Sequence, residues 1–262
     1  MLKVVIVMPA YNEEKRIGRT LEAYCRFFSE KKKRKEIEDF EILVVINNTK
    51  DNTEGIVKAF QKKCKKIRYL NFKQGGKGFA IIQGFKDALK RRNDLIGFVD
   101  ADMATPAFAF YELVKNIDGY AGVIASRYLK RSVIKPRQTL KRIFVSRIFN
   151  FMVRSLFFMP YKDTQLGAKL FKRKAIENIV NNLGTTKWAF DIDLLYNARK
   201  KGLKVKELPT VWQDVDGSKL NVERASIQMF FAVARLKILN SPFKVFWPVL
   251  RSIGGWIWRI VR

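Results

Sequence analysis

No histidine occurs anywhere in this chain of 262 residues. Histidine general bases, histidine-ligated zinc and Ser-His-Asp chemistry are therefore excluded together, leaving carboxylates, lysines, arginines and hydroxyls to do any chemical work. Cysteine is nearly as scarce. Cys25 and Cys64 stand far apart, each in an apparent helix, so neither a disulfide framework nor a cysteine zinc site is expected, and a reducing, cytoplasmic setting fits. Acidic residues are outnumbered, 24 Asp plus Glu against 52 Lys plus Arg, for a formal net charge of +28. A chain so poor in negative charge seeks anions: nucleic acid, phosphorylated substrates or an anionic membrane surface. Apolar runs long enough to cross a bilayer, about eighteen residues, are also missing. Arg147 and Arg154 break the 139–158 stretch, Arg235 and Lys237 the next, and Arg251 and Arg259 the tail. No secretory leader is read at the start, because Met1 to Val7 runs straight into Pro9 and is better explained as a short buried strand.

What is present is strand, loop and helix in alternation. Lys3 to Met8 is a β-branched run ending at Pro9-Ala-Tyr-Asn-Glu-Glu14, and helical spacing follows through Ile17, Leu21, Tyr24, Phe27 and Phe28. The basic run Lys31 to Lys35 reads as a solvated connector, since like charges this dense repel. Phe40 to Ile46 is a second strand, and the polar loop 47–53 supplies a helix N-cap before Ile56, Val57 and Phe60. A third strand, Ile67 to Phe72, leads into Lys73-Gln-Gly-Gly-Lys-Gly78 and a helix bearing Ile81, Ile82, Phe85 and Leu89; a fourth, from Ile96 to Val99, delivers Asp100. This alternation predicts an α/β fold with a Rossmann-like, mostly parallel sheet flanked by helices, whose ligands bind at the carboxyl ends of the strands. Further on, Ala121 to Ser126 and Val205 to Leu208 read as strands and Thr139 to Phe158 as a helix. Without repeats or low-complexity linkers, the expectation is one catalytic domain over 1–221 and a C-terminal amphipathic helical appendage over 222–262.

Asp100-Ala-Asp102 places two carboxylates where a buried strand gives way to a turn. Such a pair suits Mg²⁺ or Mn²⁺ shared with substrate phosphates; an Asp-rich turn before the helix at Thr105-Pro106 is the plainer alternative. Together with Val7-Met-Pro-Ala-Tyr-Asn-Glu-Glu14, Gly75-Gly-Lys-Gly78, Ser126-Arg127, Asp163-Thr-Gln165 with Lys169-Leu-Phe171, Trp188-Ala-Phe-Asp191 and Gly217-Ser-Lys219, it stands in an order that resembles family 2 glycosyltransferases of the GT-A fold. The likeness covers roughly residues 3 to 220 and is strongest to polyprenyl-phosphate sugar synthases, those making dolichyl-phosphate glucose and mannose.

The resemblance implies transfer of glucose or mannose from a UDP- or GDP-hexose to a polyprenyl or dolichyl phosphate at the cytoplasmic face of a membrane. It implies that Pro9, Tyr11, Asn12, Glu13, Asn47, Asp51 and Ala101 frame the nucleotide, with Gly76, Lys77 and Lys219 near its diphosphate. Asp100 and Asp102 would hold the divalent cation, and Asp191, Asp163 and Arg127 resemble the family's catalytic positions. A lipid monophosphate, with a second pKa of about 6, is already an adequate nucleophile, so it asks for positioning cations such as Arg127, Arg137 or Arg142 more than for a strong base. Asp163 and Asp191 also read as helix caps, Lys77 as part of a plain turn, and Lys219 as one surface lysine among many.

One departure concerns the base. Where the family often carries Asp-Asp-Gly-Ser after its second strand, this chain has Ile46-Asn-Asn-Thr49, so Asn47 stands in place of a carboxylate and leaves uracil against guanine open. Arg142, Ser146, Asn150 and Arg154 fall three or four residues apart, a polar stripe on a helix otherwise apolar, which fits interfacial docking or core packing equally. The tail, with Phe243, Phe246, Trp247, Trp256 and Trp258 among basic residues, suits headgroup depth. Nucleic acid is not an expected partner: the basic residues are dispersed and no recognised binding motif appears.

Overall fold

A computed structural model describes residues 1–136, 140–184, 189–213, 233 and 236–238; in the helix at 140–157 the side chains of 140–142, 144 and 145 fall outside that description. Arg137, Trp188, Lys219, the side chain of Arg142 and nearly all of the 222–262 appendage therefore lie outside the described residues. The first half is four repeats of strand then helix: β1 (Lys3–Ala10), α1 (Ile17–Lys33), β2 (Asp39–Asn47), α2 (Thr53–Lys63), β3 (Ile67–Phe72), α3 (Lys77–Leu89), β4 (Leu95–Val99) and α4 (Ala107–Lys115). The second half holds β5 (Gly122–Ser126), β6 (Val133–Lys135), α5 (Leu140–Phe157), β7 (Ala168–Lys172), α6 (Arg173–Ile179), α7 (Phe190–Lys200), β8 (Val205–Pro209) and β9 (Val211–Gln213).

Seven strands form one sheet in the order β3-β2-β1-β4-β7-β5-β8. β1 to β4 are mutually parallel where they pair, so the loops after all four leave from one edge. β7 runs antiparallel to both β4 and β5. That insertion depends on Gly97, where a Cβ would sit 2.6 Å from the Lys169 carbonyl oxygen. Side chains alternate to two packed faces: Val4, Ile6 and Met8 meet Leu21, Tyr24 and Phe28 of α1 and Phe110 of α4. Val5 and Val7 face Ile81 and Phe85 of α3, with Val153 of α5 and Leu194 of α7 on the same side.

Three expectations are corrected. Cys25 and Cys64 are joined as a disulfide, with Cα atoms 6.8 Å apart, because α1 and α2 pack side by side on one face and bring the end of α2 onto the middle of α1. A pairing across 39 residues is a product of topology, and the reducing setting inferred from two unpaired thiols loses its basis. The basic run is a connector only in part: Arg34 and Lys35 lie exposed in the link to β2, but Lys31, Lys32 and Lys33 close α1, where cations complement the last carbonyls, and Lys31 pairs with Glu36 at 2.8 Å. On α5 the expected polar stripe is not solvent-facing throughout, since Asn150 is buried and accepts from the backbone and hydroxyl of Thr164. Phe149, Val153 and Phe157 pack into the core, while Ile148 and Phe151 stay exposed.

Candidate active site

β4 ends against the sheet edge with Asp100, whose backbone N–H donates to the Gly167 carbonyl at 3.1 Å. Lys77, the first residue of α3, reaches back to Asp100 Oδ1 at 2.5 Å, beside Gly76, whose φ of 132° lets the chain turn into the helix. The Asp102 loop is fastened from below. Thr20 donates to the Ala101 carbonyl and Tyr24 to the Thr105 carbonyl, both at 2.7 Å, and Asp102 Oδ1 accepts the Ala104 N–H at 2.9 Å. Ala101 is thus buried, with its carbonyl occupied.

Burial, then the neighbouring Asp100, pushes the Asp102 carboxyl above its usual range. Burial also pushes Glu13 up to about 7 against the pull of its partner Arg16, with Asp102 and Asp100 adding repulsion. Burial alone would lower Lys77, but Asp100, Asp191 and Asp102 outweigh it and hold the ammonium above its usual range. A concentration of negative charge around one lysine is a site short of cations.

The donor set fits a hard divalent ion: carboxylate oxygens, with one Asp102 oxygen outside the hydrogen bonds among the described residues and a raised proton affinity that a cation would relieve. Among the described residues no cluster of three or more His, Cys, Asp or Glu is placed to hold a metal without help. This agrees with an ion that takes one or two carboxylates and completes its shell with substrate phosphates. Gly167 makes room for the pair. A Cβ there would lie 2.0 Å from Asp100 Oδ2, so Gly167→Ala is expected to displace Asp100 and cut turnover about tenfold to a hundredfold, the range for disturbed metal-site support. Turnover titrated with Mn²⁺ checks this; an unchanged titration would contradict it.

The loops after β1 and β2 are laced together. Glu13 N–H donates to the Thr53 hydroxyl at 2.9 Å, Glu14 N–H to Asp51 at 3.0 Å, and Lys50 N–H to the Asn12 side chain at 2.9 Å. Thr53 opens α2 without acting as its side-chain cap; its hydroxyl donates instead to Asp51. Tyr11 is left 52% exposed, with a free face for stacking. Asn47 is buried and both ends of its amide are engaged, Nδ2 donating to the Ala10 carbonyl at 2.9 Å and Oδ1 accepting the Gly76 N–H at 3.0 Å. It ties three loops together in a way a carboxylate could not, since an ionised Asp has no proton for Ala10. Asn47→Asp is therefore expected to cost about 1–3 kcal/mol of stability by facing a buried carbonyl with a charge. Denaturant unfolding reads this, and the donor preference of the same variant reads whether the position also selects the base.

Asp163 is fully buried and clasped by Arg127, which donates through Nε at 2.7 Å, Nη2 at 3.0 Å and its backbone N–H at 3.0 Å. Burial would raise the Asp163 carboxyl, but Arg127 outweighs it and keeps the group below its usual range. Asp163 is accordingly a poor proton acceptor and a strong anchor for the guanidinium, which also lies 5.4 Å from the rings of both Tyr128 and Trp212. Asp191, in the first turn of α7, accepts from Lys169 Nζ at 2.5 Å, and the same ammonium donates to the Leu166 carbonyl at 2.6 Å. Lys169 is completely buried and was not among the expected site residues. The available signal was a lysine inside the otherwise apolar run Ala168 to Phe171.

Solved structures share this architecture. Glucosyl-3-phosphoglycerate synthase from Mycobacterium tuberculosis, crystallised with Mn²⁺, UDP and phosphoglyceric acid, matches with a TM-score of 0.67 over 90% of this chain and 78% of that one, at 16% identity. TarS 1-349 from S. aureus matches with a TM-score of 0.58 over 92% of this chain and 66% of that one, also at 16% identity. At such identity the likeness is one of fold, the α/β fold of GT-A-like transferases. Sequence carries it further. The model for glycosyl transferase family 2 matches residues 5–180. A dolichyl-phosphate beta-glucosyltransferase of Dictyostelium discoideum is 32% identical over 242 residues, 88% of this chain and 73% of the relative. One from Trichomonas vaginalis is 35% identical over 223 residues, 82% of this chain and 65% of the relative. The chain belongs to glycosyltransferase family 2.

Proposed function

We propose that this transferase moves glucose from a nucleoside diphosphate glucose to the phosphate of a dolichyl or other polyprenyl phosphate, inverting the anomeric centre, at the cytoplasmic face of a membrane. The observation that carries the reading is the Lys77, Asp100 and Asp102 cluster at the sheet edge, in a chain whose relatives bear the dolichyl-phosphate glucosyltransferase name. Mannose, part of the initial expectation, has no such support. In this reading the nucleoside lies along Pro9, Tyr11, Asn12, Glu13 and Asp51, with buried Asn47 and Ala101 holding the loops beneath it. The diphosphate lies by Gly76, Lys77 and Lys219, and Asp102 with Asp100 holds Mg²⁺ or Mn²⁺. When bound, the metal neutralises charge gathering on the leaving nucleoside diphosphate. Lys77 adds a fixed positive charge beside the same group.

Arg127, fixed in plane by Asp163, leaves Nη1 without a bond among the described residues, and with Arg137 and Arg142 it is the cation set for the acceptor phosphate. Asp191, fixed by Lys169, orients the sugar. The segment 222–262 is assigned to membrane association; among the described residues no helix is long and apolar enough to cross a bilayer. The test is a matrix of UDP-glucose, GDP-glucose and GDP-mannose against dolichyl phosphate with Mg²⁺ or Mn²⁺, scored for lipid-linked sugar. Lipid-linked glucose is expected. Transfer to a peptide or glycan alone would overturn the acceptor assignment.

A further inference from the structure

Behind the Arg127 and Asp163 pair lies a cleft of about 270 Å³ lined by Tyr128, Arg147, Asn150, Phe151, Arg154 and Lys162. Four of these, at 147, 150, 151 and 154, form one stripe of α5 at helical spacing. Among the described residues no acidic side chain lines it, though the Glu207 carboxylate accepts the Lys162 backbone N–H at 3.0 Å. Among the described residues Arg154 Nε is buried without a hydrogen-bond partner, an unusual state for a guanidinium and a sign of a missing acceptor. The neutral polar groups are already engaged: Asn150 bonds the Ser146 carbonyl and Thr164, and the Tyr128 hydroxyl meets Ser146 at 2.5 Å. Arg147 sits 5.8 Å over the Tyr128 ring. What the cleft offers a ligand is cationic donors, which suits a phosphate group.

Its rim is apolar. Phe151 is 70% exposed, Ile148 53% and Phe158 73%, on the same helix and its end. Free phosphate would have no use for such a rim; an amphiphile with a phosphate head would use both parts. No hydrogen bond or ion pair among the described residues joins Arg147, Arg154 or Lys162 to Asp100, Asp102, Lys77 or Asp191, so the cleft stands outside the metal and sugar cluster, and it meets the acceptor side through the Tyr128 ring, which Arg127 and Arg147 share.

We propose that this cleft holds the phosphate of an anionic membrane phospholipid, with its chains against Ile148, Phe151 and Phe158, as a docking site separate from the transferred acceptor. The inference rests on the reading that the enzyme works at a membrane. The test is flotation of the full chain with phosphatidylcholine vesicles containing or lacking phosphatidylglycerol. Arg147→Gln with Arg154→Gln is expected to weaken binding to phosphatidylglycerol vesicles by about tenfold. Lys62→Gln with Lys65→Gln, which removes the same charge from exposed positions of another face, is expected to change it less than about twofold. Phe151→Ser, at an exposed position that leaves the core intact, should also weaken it. Equal losses in the two double variants would show diffuse attraction and overturn the site, as would undiminished flotation of the arginine pair. The KM for detergent-dispersed polyprenyl phosphate should be unchanged in the arginine pair, and a rise would assign the cleft to the acceptor instead. If wild-type protein gives no lipid-linked product, the functional reading fails on its own while flotation still decides the cleft.

Discussion

Asp102→Asn is expected to lower sugar transfer by about a hundredfold to a thousandfold, the scale on which loss of one preorganised charge contact is felt in a transition state. The same variant should leave the metal-free protein as stable as the wild type, or more so. Two facts support that second half. Asn keeps an oxygen for the Ala104 N–H, and it removes a charge that burial and Asp100 make unfavourable in the folded state. The sign follows from linkage. A carboxyl whose pKa is raised by folding contributes stability that is present below its unfolded value of about 4 and is lost as pH rises through the folded value. Metal-free wild type should therefore lose stability as pH rises through that window by more than Asp102→Asn does. Thermal unfolding with and without Mn²⁺ completes the test: the ion should stabilise the wild type by about 2.7 kcal/mol at a hundredfold excess over Kd, and the variant much less. Metal-independent transfer by Asp102→Asn would remove Asp102 from the metal site.

Much of this organisation was legible in the sequence because it is written in local pattern. Ile67 to Phe72 reads as a strand to the residue, and the loops following β1 to β4 announce themselves by composition. The antiparallel β7 was not legible as a strand, since Ala168 to Lys172 is short and broken by lysines, and a buried Lys169 defeats any rule that places charge at the surface. Partners distant in sequence were also hidden. Asn47 looked like a base-reading position from its place after β2, but its bonds to Ala10 and Gly76 depend on three loops meeting. Arg127 and Asp163 were each picked as separate actors, whereas the fold makes them one unit in which the carboxylate holds the guanidinium. Gly167 is the plainest omission: its meaning is a steric relation to Asp100, 67 residues away, that only tertiary structure creates.

Lys169→Met should be the most destabilising single change at the site. Met fills much the same volume but cannot donate to Asp191 or to the Leu166 carbonyl, and removing one partner of a buried ion pair costs about 3–5 kcal/mol because the other charge is stranded. Burial lowers the Lys169 pKa while Asp191 supports the charged form, so the buried ammonium depends on the carboxylate beside it. Without the lysine, Asp191 keeps only the start of α7 and the more distant Lys77 as positive neighbours. Turnover should fall as well, because the carboxylate loses the ammonium that fixes its position. Adding Asp191→Asn should restore most of the lost stability, since the stranded charge is gone, yet leave transfer low at every pH. That divergence separates the roles. Recovery of both stability and activity in the double variant would make the pair a structural element only. Recovery of stability alone would identify Lys169 as the residue that positions Asp191 for the sugar.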